Sequence, residues 1–521
     1  MKKKFYIYIA LFTAFALALP SCMNLDEEVL DEIPSSNFGR NEAEINAIMA
    51  PAYKTFNRYW SHNFMSLQEC TGDMMLIPSK LGGDWYDGGQ YRELHMHTWV
   101  ATNNTIRGSW NRATECVSAC NLILHTIEEN QSMEAGVKTR SVAELRGIRA
   151  FWYYVMLDNW GNIPLVTDFT NTELPSLTPR NEAYQFVLKE LNEIKDILRD
   201  DVSTASYGKF TKGAAYALLA KMYLNAEAWG VDSPRWQEVV NACDVVMGLD
   251  YRIEPVWKDN FKAANETSLE AVLAAAFSAN ESNSAYRMVY YNWLHYLDNI
   301  ALGFRGTGNN CMTAQPDYVR LFDEEDQRFA GSFLLGPMIN PATGQVLITA
   351  HSRPLIHTID VTIIPGTERD GTPWGDVNQE DGARIFKWEY EKSIINMMEN
   401  DFHIIRLADI YLMKAEALVR LGQDNGEATR LVNVIRERGY GNDSHNYTSV
   451  TLKEVELERK LELAWEFWAR QDNIRFGTFQ NPRWLKQSTA GKDYLNIFPI
   501  PQTAWQANNK LVQNPGYPAF N

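Results

Sequence analysis

Long apolar runs are nearly missing from this chain. The one that exists is FYIYIALFTAFALAL, residues 5–19. No second run approaches the ~20 residues a spanning helix needs, so a body woven through a bilayer by helices is excluded. Cysteine is also scarce, with 6 in 521 residues, which is too few for a disulfide framework at this size. Basic charge is in deficit, at 49 Lys+Arg against 65 Asp+Glu and a formal charge of −16. Such an acidic surface argues against nucleic acid or an anionic membrane surface as partner. Catalytic signatures are missing as well. There is no G-x-S-x-G, no H-E-x-x-H and no phosphate-cradling glycine loop.

What is present begins at the first residues. Lys2, Lys3 and Lys4 precede the apolar run, and Leu19-Pro20-Ser21-Cys22 follows it. That is an export leader with a lipobox, in which Cys22 is lipidated and becomes the new N-terminus. Pro20 departs from the commonest lipobox, and an ordinary secreted protein with a chance cysteine is the other reading. The expected division is a signal peptide at 1–21 and an acidic, Pro/Ser-containing tether at 22–40. A helical region is expected at 41–250, and a second region with a variable insertion at 251–521.

The body reads as paired amphipathic helices. Ser141 with Glu144 makes a capping box ahead of Leu145, Ile148, Trp152 and Val155, and Gly161 stops the run. Tyr184 to Leu198 forms a second stripe. Thr211 caps a third through Leu218, Met222 and Tyr223, and Trp236 to Val246 forms a fourth. The pattern returns at Ala408–Val419, ended by Gly422, and at Ala428–Ile435, ended by Gly439. Leu457, Leu461, Ala464, Trp465 and Trp468 make a last stripe. The segments GAAYALLAKMYLNAEA and ADIYLMKAEALVRLG resemble each other, with small alanines beside aromatics. This is the texture of tetratricopeptide-like hairpins, without a strict repeat of about 34 residues. Residues 60–110 and 250–400 are richer in Gly, Pro, Asn and aromatics, with short β-like runs such as VLITAH and VTIIP. The expected fold is mostly α, a hairpin scaffold carrying long loop-rich insertions.

An ordered set of strings then points to one family. RGIRAFWYYVMLDNWGNIPLV (146–166) and GKFTKGAAYALLAKMYLNA (208–226) come first. RLADIYLMKAEAL (406–418), VIRERGY (434–440) and ELERKLELAWEFWARQDNIRFG (456–477) follow, then FPIPQTAW (498–505) and QNPGY (513–517). Behind a lipoprotein leader, this set resembles the SusD/RagB family of the Bacteroidetes, over nearly the whole mature chain. Ala469-Arg470-Gln471-Asp472 departs from the family's more usual Gly, Arg and aromatic before Asp. The resemblance implies an α-helical, cell-surface lipoprotein of the outer membrane with no enzymatic activity and no cofactor. It implies a protein that binds oligosaccharide or another nutrient and sits as a lid over a SusC-like TonB-dependent transporter. Asp26, Glu27 and Glu28 are similar to the acidic export signal of surface lipoproteins in that phylum.

Sugar rings present apolar faces ringed by hydroxyls, so a glycan surface needs exposed aromatics beside polar groups. Two segments qualify. GGDWYDGGQYR offers Trp85, Tyr86 and Asp87 among glycines; the plain alternative is that Trp85 plugs the loop onto the body. SAYRMVYYNWLHY offers Tyr290, Trp293 and Tyr296, with Tyr286, Arg287 and Asp298 near them; the plain alternative is a buried aromatic stripe. Other constellations carry less. Cys116 and Cys120 share a helix face and read as packing residues. His95 and His97 lack a third ligand, so no metal is expected. Glu462 and Glu466 suit a solvated face or an ion-pair network better than a hydrolytic pair. A secreted all-α glycoside hydrolase or lyase, and a protein-binding surface lipoprotein, are the competing functions.

The lipobox generates a direct test. Cys22→Ala is expected to move the protein from the membrane fraction to the soluble fraction with its melting temperature unchanged. Retention of that variant in membranes would contradict lipid anchoring.

Overall fold

The computed structural model describes residues 38–277, 290–393 and 398–520. The leader, Cys22 and the tether up to residue 37 lie outside them, as do Tyr286, Arg287 and the side chain of Tyr290. Helix starts are set by short polar side chains. Asn41, Asn103, Glu134, Thr211, Asp424 and Thr451 each accept a backbone N–H of the turn they precede. The longer helices are α1 (Glu42–Tyr59), α2 (Asn104–Glu129), α3 (Ala135–Trp160), α4 (Arg180–Ile194), α5 (Lys212–Asn225), α6 (Trp236–Met247), α7 (Leu407–Leu421), α8 (Asn425–Tyr440), α9 (Leu452–Glu462) and α10 (Ala469–Phe476); α1, α2, α3, α5, α8 and α9 are the ones so capped.

Neighbours in sequence pack as hairpins: α2 on α3, α3 on α4, α5 on α6 and α7 on α8. The fold is mostly α, as the periodicity predicts. Ala214, Ala215, Ala217 and Ala220 are all buried, and such small side chains let α5 and α6 approach closely. Helix α6 also packs on α7. The two look-alike segments therefore flank one helix, and a buried Lys221–Asp409 pair at 2.6 Å joins them. One hydrophobic core runs from Met49 to Leu511, across position 250. Among the described residues no helix is long and apolar enough to cross a membrane.

Strands are few and short. β1 (Met75–Leu76) pairs with β3 (Thr313–Ala314), and β2 (Ala271–Ala275) pairs antiparallel with β4 (Phe402–Arg406). The runs VLITAH and VTIIP form single bridges only, Ile339 to Val346, Ile348 to Pro354 and Ile363 to Val377.

Three local readings are corrected. Helix α3 starts at Ala135, so Ser141 lies inside it, and Glu144 accepts the Tyr53 hydroxyl instead of closing a capping box. Helix α8 ends at Gly441, not Gly439; a Cβ at Gly439 would lie 2.6 Å from Arg328 Nε, so the bare backbone there admits the guanidinium. The stripe Leu457–Trp468 is no single helix. It breaks after Glu462, and Trp465 and Phe467 take left-handed backbone, φ 57° and 70°. The break frees the carbonyls of Glu462 and Ala464 to accept from Lys387 Nζ, each at 2.9 Å.

Glu462 and Glu466 belong to a buried ion-pair network rather than a solvated face. Arg406, at the end of β4, donates to Glu270 at 2.6 Å, Glu462 at 3.0 Å and Glu466 at 2.6 Å. Arg438 pairs with Glu270 and Glu462, Lys387 with Glu466, and Arg328 with Asp326, Glu458 and Glu462. Burial alone would raise the Glu270 pKa, but the Arg438 and Arg406 guanidiniums outweigh it and hold it at about 2.

Removing one member strands the others. Arg406→Met is expected to lower stability by about 3–5 kcal/mol in urea unfolding, since it leaves Glu270, Glu462 and Glu466 short of a cation. A loss below about 1 kcal/mol would contradict this, being the worth of a surface pair. The pH dependence follows from Glu270. Its pKa is lower folded than its ordinary 4.5, so its contribution is complete above pH 4.5 and is lost as pH falls toward about 2.

Candidate functional site

The loop between β1 and the short helix Gln90–Met96 is held by its backbone. Lys80 N–H donates to Asp84 O at 2.8 Å, and Leu81 N–H to Val377 O at 2.8 Å. Trp85 and Asp87 both sit in left-handed backbone, φ 63° and 42°. Such conformations cost non-glycine residues about 1–3 kcal/mol and persist where surrounding contacts enforce them. Here the Trp85 indole N–H donates to Asn309 O at 2.8 Å. Tyr86 and Arg92 both donate to Asp370, at 3.2 and 2.9 Å, and Arg369 lies 4.8 Å over the Tyr86 ring. Gly89 sits at φ +84°, a backbone conformation that side-chain-bearing residues rarely adopt.

The second aromatic segment meets this loop. Tyr296 donates to Asp84 Oδ2 at 2.8 Å. Burial first, and the Asp84 carboxylate second, push the Tyr296 phenol well above its usual range, so it stays a donor. Asn292 Oδ1 accepts from Asn309 Nδ2 at 2.8 Å, which fixes the Asn292 amide so that its NH2 faces His62 Nδ1 at 3.2 Å. The Asn292 NH2 can only donate, so His62 Nδ1 accepts and Nε2–H donates to the Tyr91 hydroxyl at 2.8 Å. Burial, with Arg112 nearby, lowers the His62 pKa to about 4, which keeps this tautomer neutral. The Trp85 ring lies 6.0 Å from His62 and 6.3 Å from Tyr91.

Of the predicted residues, Trp85, Tyr86 and Tyr296 are half-buried and Asp87 is exposed, with Gly82, Gly83 and Asp84 exposed beside them. Trp85, Tyr86, Asp87 and Tyr296 therefore come together. Trp293 does not join them. It is fully buried, 5.9 Å from the Trp60 ring and 5.2 Å from Trp388, with its indole N–H on Met65 Sδ at 3.4 Å. This corrects its assignment as a ligand platform: the helix of Tyr290–Trp293 turns Trp293 inward, as a core residue. Asp298 is likewise buried and pairs with His357 at 2.8 Å. His62, Asn309 and Asp370 were not legible as partners, because they reach the loop only through the tertiary fold.

The other constellations are structural. His95 Nε2 lies 2.7 Å from Trp484 O, and His97 Nε2 lies 2.8 Å from Thr71 O. Among the described residues no three His, Cys, Asp or Glu side chains are placed to hold a metal. Cys70, Cys116, Cys120, Cys243 and Cys311 are free and buried, as packing residues.

Two family models match this chain. One, for starch-binding proteins associating with the outer membrane, matches residues 28–224, and the SusD family model matches residues 378–517. The chain belongs to the SusD/RagB family. It is 25% identical over 466 residues to the starch-binding protein SusD of Bacteroides thetaiotaomicron, covering 83% of this chain and 82% of that one. It is 24% identical to SusD-like protein P2 of Formosa agariphila, covering 98% and 99%. Among solved structures, a laminarin-binding SusD-like protein superposes with TM-score 0.70 at 21% identity, covering 92% of this chain and all of that one. Surface glycan-binding protein A of Bacteroides thetaiotaomicron, in complex with laminarihexaose, gives TM-score 0.71 at 18% identity, covering 91% and 99%. The SusD fold thus extends over the segments that neither family model matches.

The two tryptophans should separate in unfolding experiments. Trp293→Ala is expected to cost about 3–5 kcal/mol, as for a buried aromatic. Trp85→Ala is expected to cost less, because its ring is only half-buried and packs at the edge of the core rather than within it. Equal losses in urea titrations would contradict the division between core and surface.

Proposed function

We propose that this SusD-family chain is a non-enzymatic, surface-exposed lipoprotein that binds glycan through the surface at Trp85, Tyr86, Asp87 and Tyr296. In this reading Cys22 carries the lipid that holds it to the outer membrane, and the captured oligosaccharide passes to a SusC-like TonB-dependent transporter. The observation that carries the reading is the meeting of the two aromatic segments through the Tyr296–Asp84 and Trp85–Asn309 bonds. Aromatic faces there stand beside carboxylates and amides already oriented by hydrogen bonds, which is the chemistry a pyranose asks for. Pre-orientation limits the entropy lost when ligand binds. The names of the relatives, starch-binding and laminarin-binding among them, favour glycan over other nutrients. Tyr290 stays in the proposal as a neighbour of this surface in sequence.

The hydrolase alternative loses its carboxylate pair, since Glu462 and Glu466 are buried and ion-paired with Arg406 and Lys387. A protein-binding lipoprotein has no specific observation in its favour.

Affinity gels cast with starch, laminarin, pectin or fructan should retard the wild-type protein in at least one case. Calorimetry with the matching oligosaccharide should then show Trp85→Ala weakened by about 1–3 kcal/mol, or roughly tenfold or more, with Tyr86→Ala weakened less. Unchanged binding by folded Trp85→Ala and Tyr86→Ala would move the site elsewhere. Purification in gentle detergent should recover a large β-barrel protein alongside.

A further inference from the structure

The polar groups around Trp85 divide unevenly into donors and acceptors. The donors are spent inside the chain. The Trp85 indole N–H is on Asn309 O, the Tyr86 hydroxyl and Arg92 are on Asp370 Oδ2, and the Tyr296 hydroxyl is on Asp84 Oδ2. Arg369 turns its Nη2 to both Asp376 oxygens, each at 2.8 Å. His351, exposed beside Gly82, has Nε2 at 3.1 Å from Leu81 O, so that nitrogen donates as well. Acceptors are what remain. Asp84, Asp87 and Asp370 are all exposed, Asp370 with 55% of its side chain in solvent. Among the described residues the Asp87 carboxylate makes no hydrogen bond or ion pair, and the side chains of Asp84 and Asp370 engage Oδ2 alone.

Charge is uneven in the same sense. Arg92 is paired with Asp370, and Arg369 with Asp376. Among the described residues no cation pairs with Asp84 or Asp87, so their two negative charges stand uncompensated. Lys80, whose backbone N–H bonds Asp84 O, has a fully buried side chain. Burial lowers its ammonium pKa well below the usual range, so it supplies no balancing charge. The hydrogen bonds from Arg92 and Tyr86 hold the Asp370 carboxyl below its usual range, which keeps it an acceptor. A sugar hydroxyl suits such a surface, because it can donate, and a bond to an ionised acceptor is stronger than one between neutral groups. A uronate or sulfate group does not. It has no proton to donate and it adds like charge. Each uncompensated carboxylate about 6 Å away lowers its affinity by roughly threefold in water, so two lower it by about tenfold.

We infer that this surface selects glycans free of acidic groups, and that Asp84, Asp87 and Asp370 are the residues that reject uronate and sulfate. The inference rests on the glycan-binding reading of the same surface and adds the class of glycan to it. Discrimination here comes from repulsion built against the wrong ligand as much as from contacts to the right one.

The test compares one polysaccharide in two charge states. Whichever of starch, laminarin or fructan retards the full chain is oxidised at C6 to its uronate form, and a portion of that is methyl-esterified as an uncharged control. Wild type should bind the oxidised form about tenfold or more weaker than the parent in affinity gels at about 0.05 M NaCl, with the ester restored toward the parent. The gap should close to within about threefold at about 1 M NaCl, where screening is strong. The paired substitution Asp84→Asn with Asp87→Asn should close the gap at low salt too. Asn can still accept from Tyr296 at position 84 and tolerates the left-handed backbone at position 87. Asp87→Asn alone should close it in part, which keeps the test open if the pair unfolds by melting temperature. The inference is overturned if oxidised and parent forms bind wild type alike, if pectin alone retards it, or if the gap ignores both salt and the Asn variants. In those cases binding that still falls in Trp85→Ala would leave the glycan surface standing without its charge selection. Binding of both forms unchanged in folded Trp85→Ala, or no retardation by any polysaccharide, would remove the surface reading and this inference together.

Discussion

Arg406 keeps its charge in the core only because Glu270, Glu462 and Glu466 are all brought to it. Those carboxylates come from the start of the β2 segment, the end of α9 and the turn that follows it. Lys387 and Arg438 then complete their coordination from two further segments. Removing charges from water is expensive, and a buried pair repays it only with good geometry. The network therefore admits one relative placement of the β2–β4 ladder, α8, α9 and the chain around 387. A second set does the same for the hairpins: Asp409 takes Lys221 and Arg459, and Arg475 joins Glu416 to Asp472. We read these networks as fixing register more than adding stability. The break at 463–468 serves them, since a continued helix would keep the carbonyls that Lys387 needs.

The loops inherit that rigidity. β1 and β3 are anchored on the core, and the segments that leave them, around 80–92 and 292–311, are the ones that meet at Trp85 and Tyr296. Neutral His62 sits below them and orders Asn292 and Tyr91 by its tautomer. The left-handed backbone at Trp85 and Asp87 is held by contacts from residues 309 and 370, far along the chain. The surface at Trp85 and Tyr296 is thus held by contacts within the chain itself, as the proposed stacking of a sugar would require.

Much of the scaffold was legible because helical periodicity and capping are local. Thr211 caps α5 as its spacing predicts, and Gly161 and Gly422 close their helices. The misreadings share one cause, a long-range demand that overrides a local pattern. Ser141 fits a capping box, yet Glu134 caps the helix and Glu144 serves Tyr53. Gly439 looks like a stop, yet its role is to admit Arg328. Trp293 stands in an aromatic string beside Tyr296, yet one faces Trp60 and Trp388 while the other faces Asp84. The short helix ends at Trp293 and Tyr296 lies in the turn beyond it, and no composition rule reports that. The aromatic loops themselves were visible, but His62, Asn309 and Asp370 carry no local signature of their role.

The most direct test of the central claim is a crystal structure of this chain with an oligosaccharide from whichever polysaccharide retards it. The account predicts a pyranose ring on Trp85 or Tyr86, hydroxyls at Asp84, Asp87 or Tyr296, and a loop backbone unchanged from the free form. A glycan bound away from residues 82–92 and 290–296, or a loop that reorganises to receive it, would contradict a surface pre-set by the buried network.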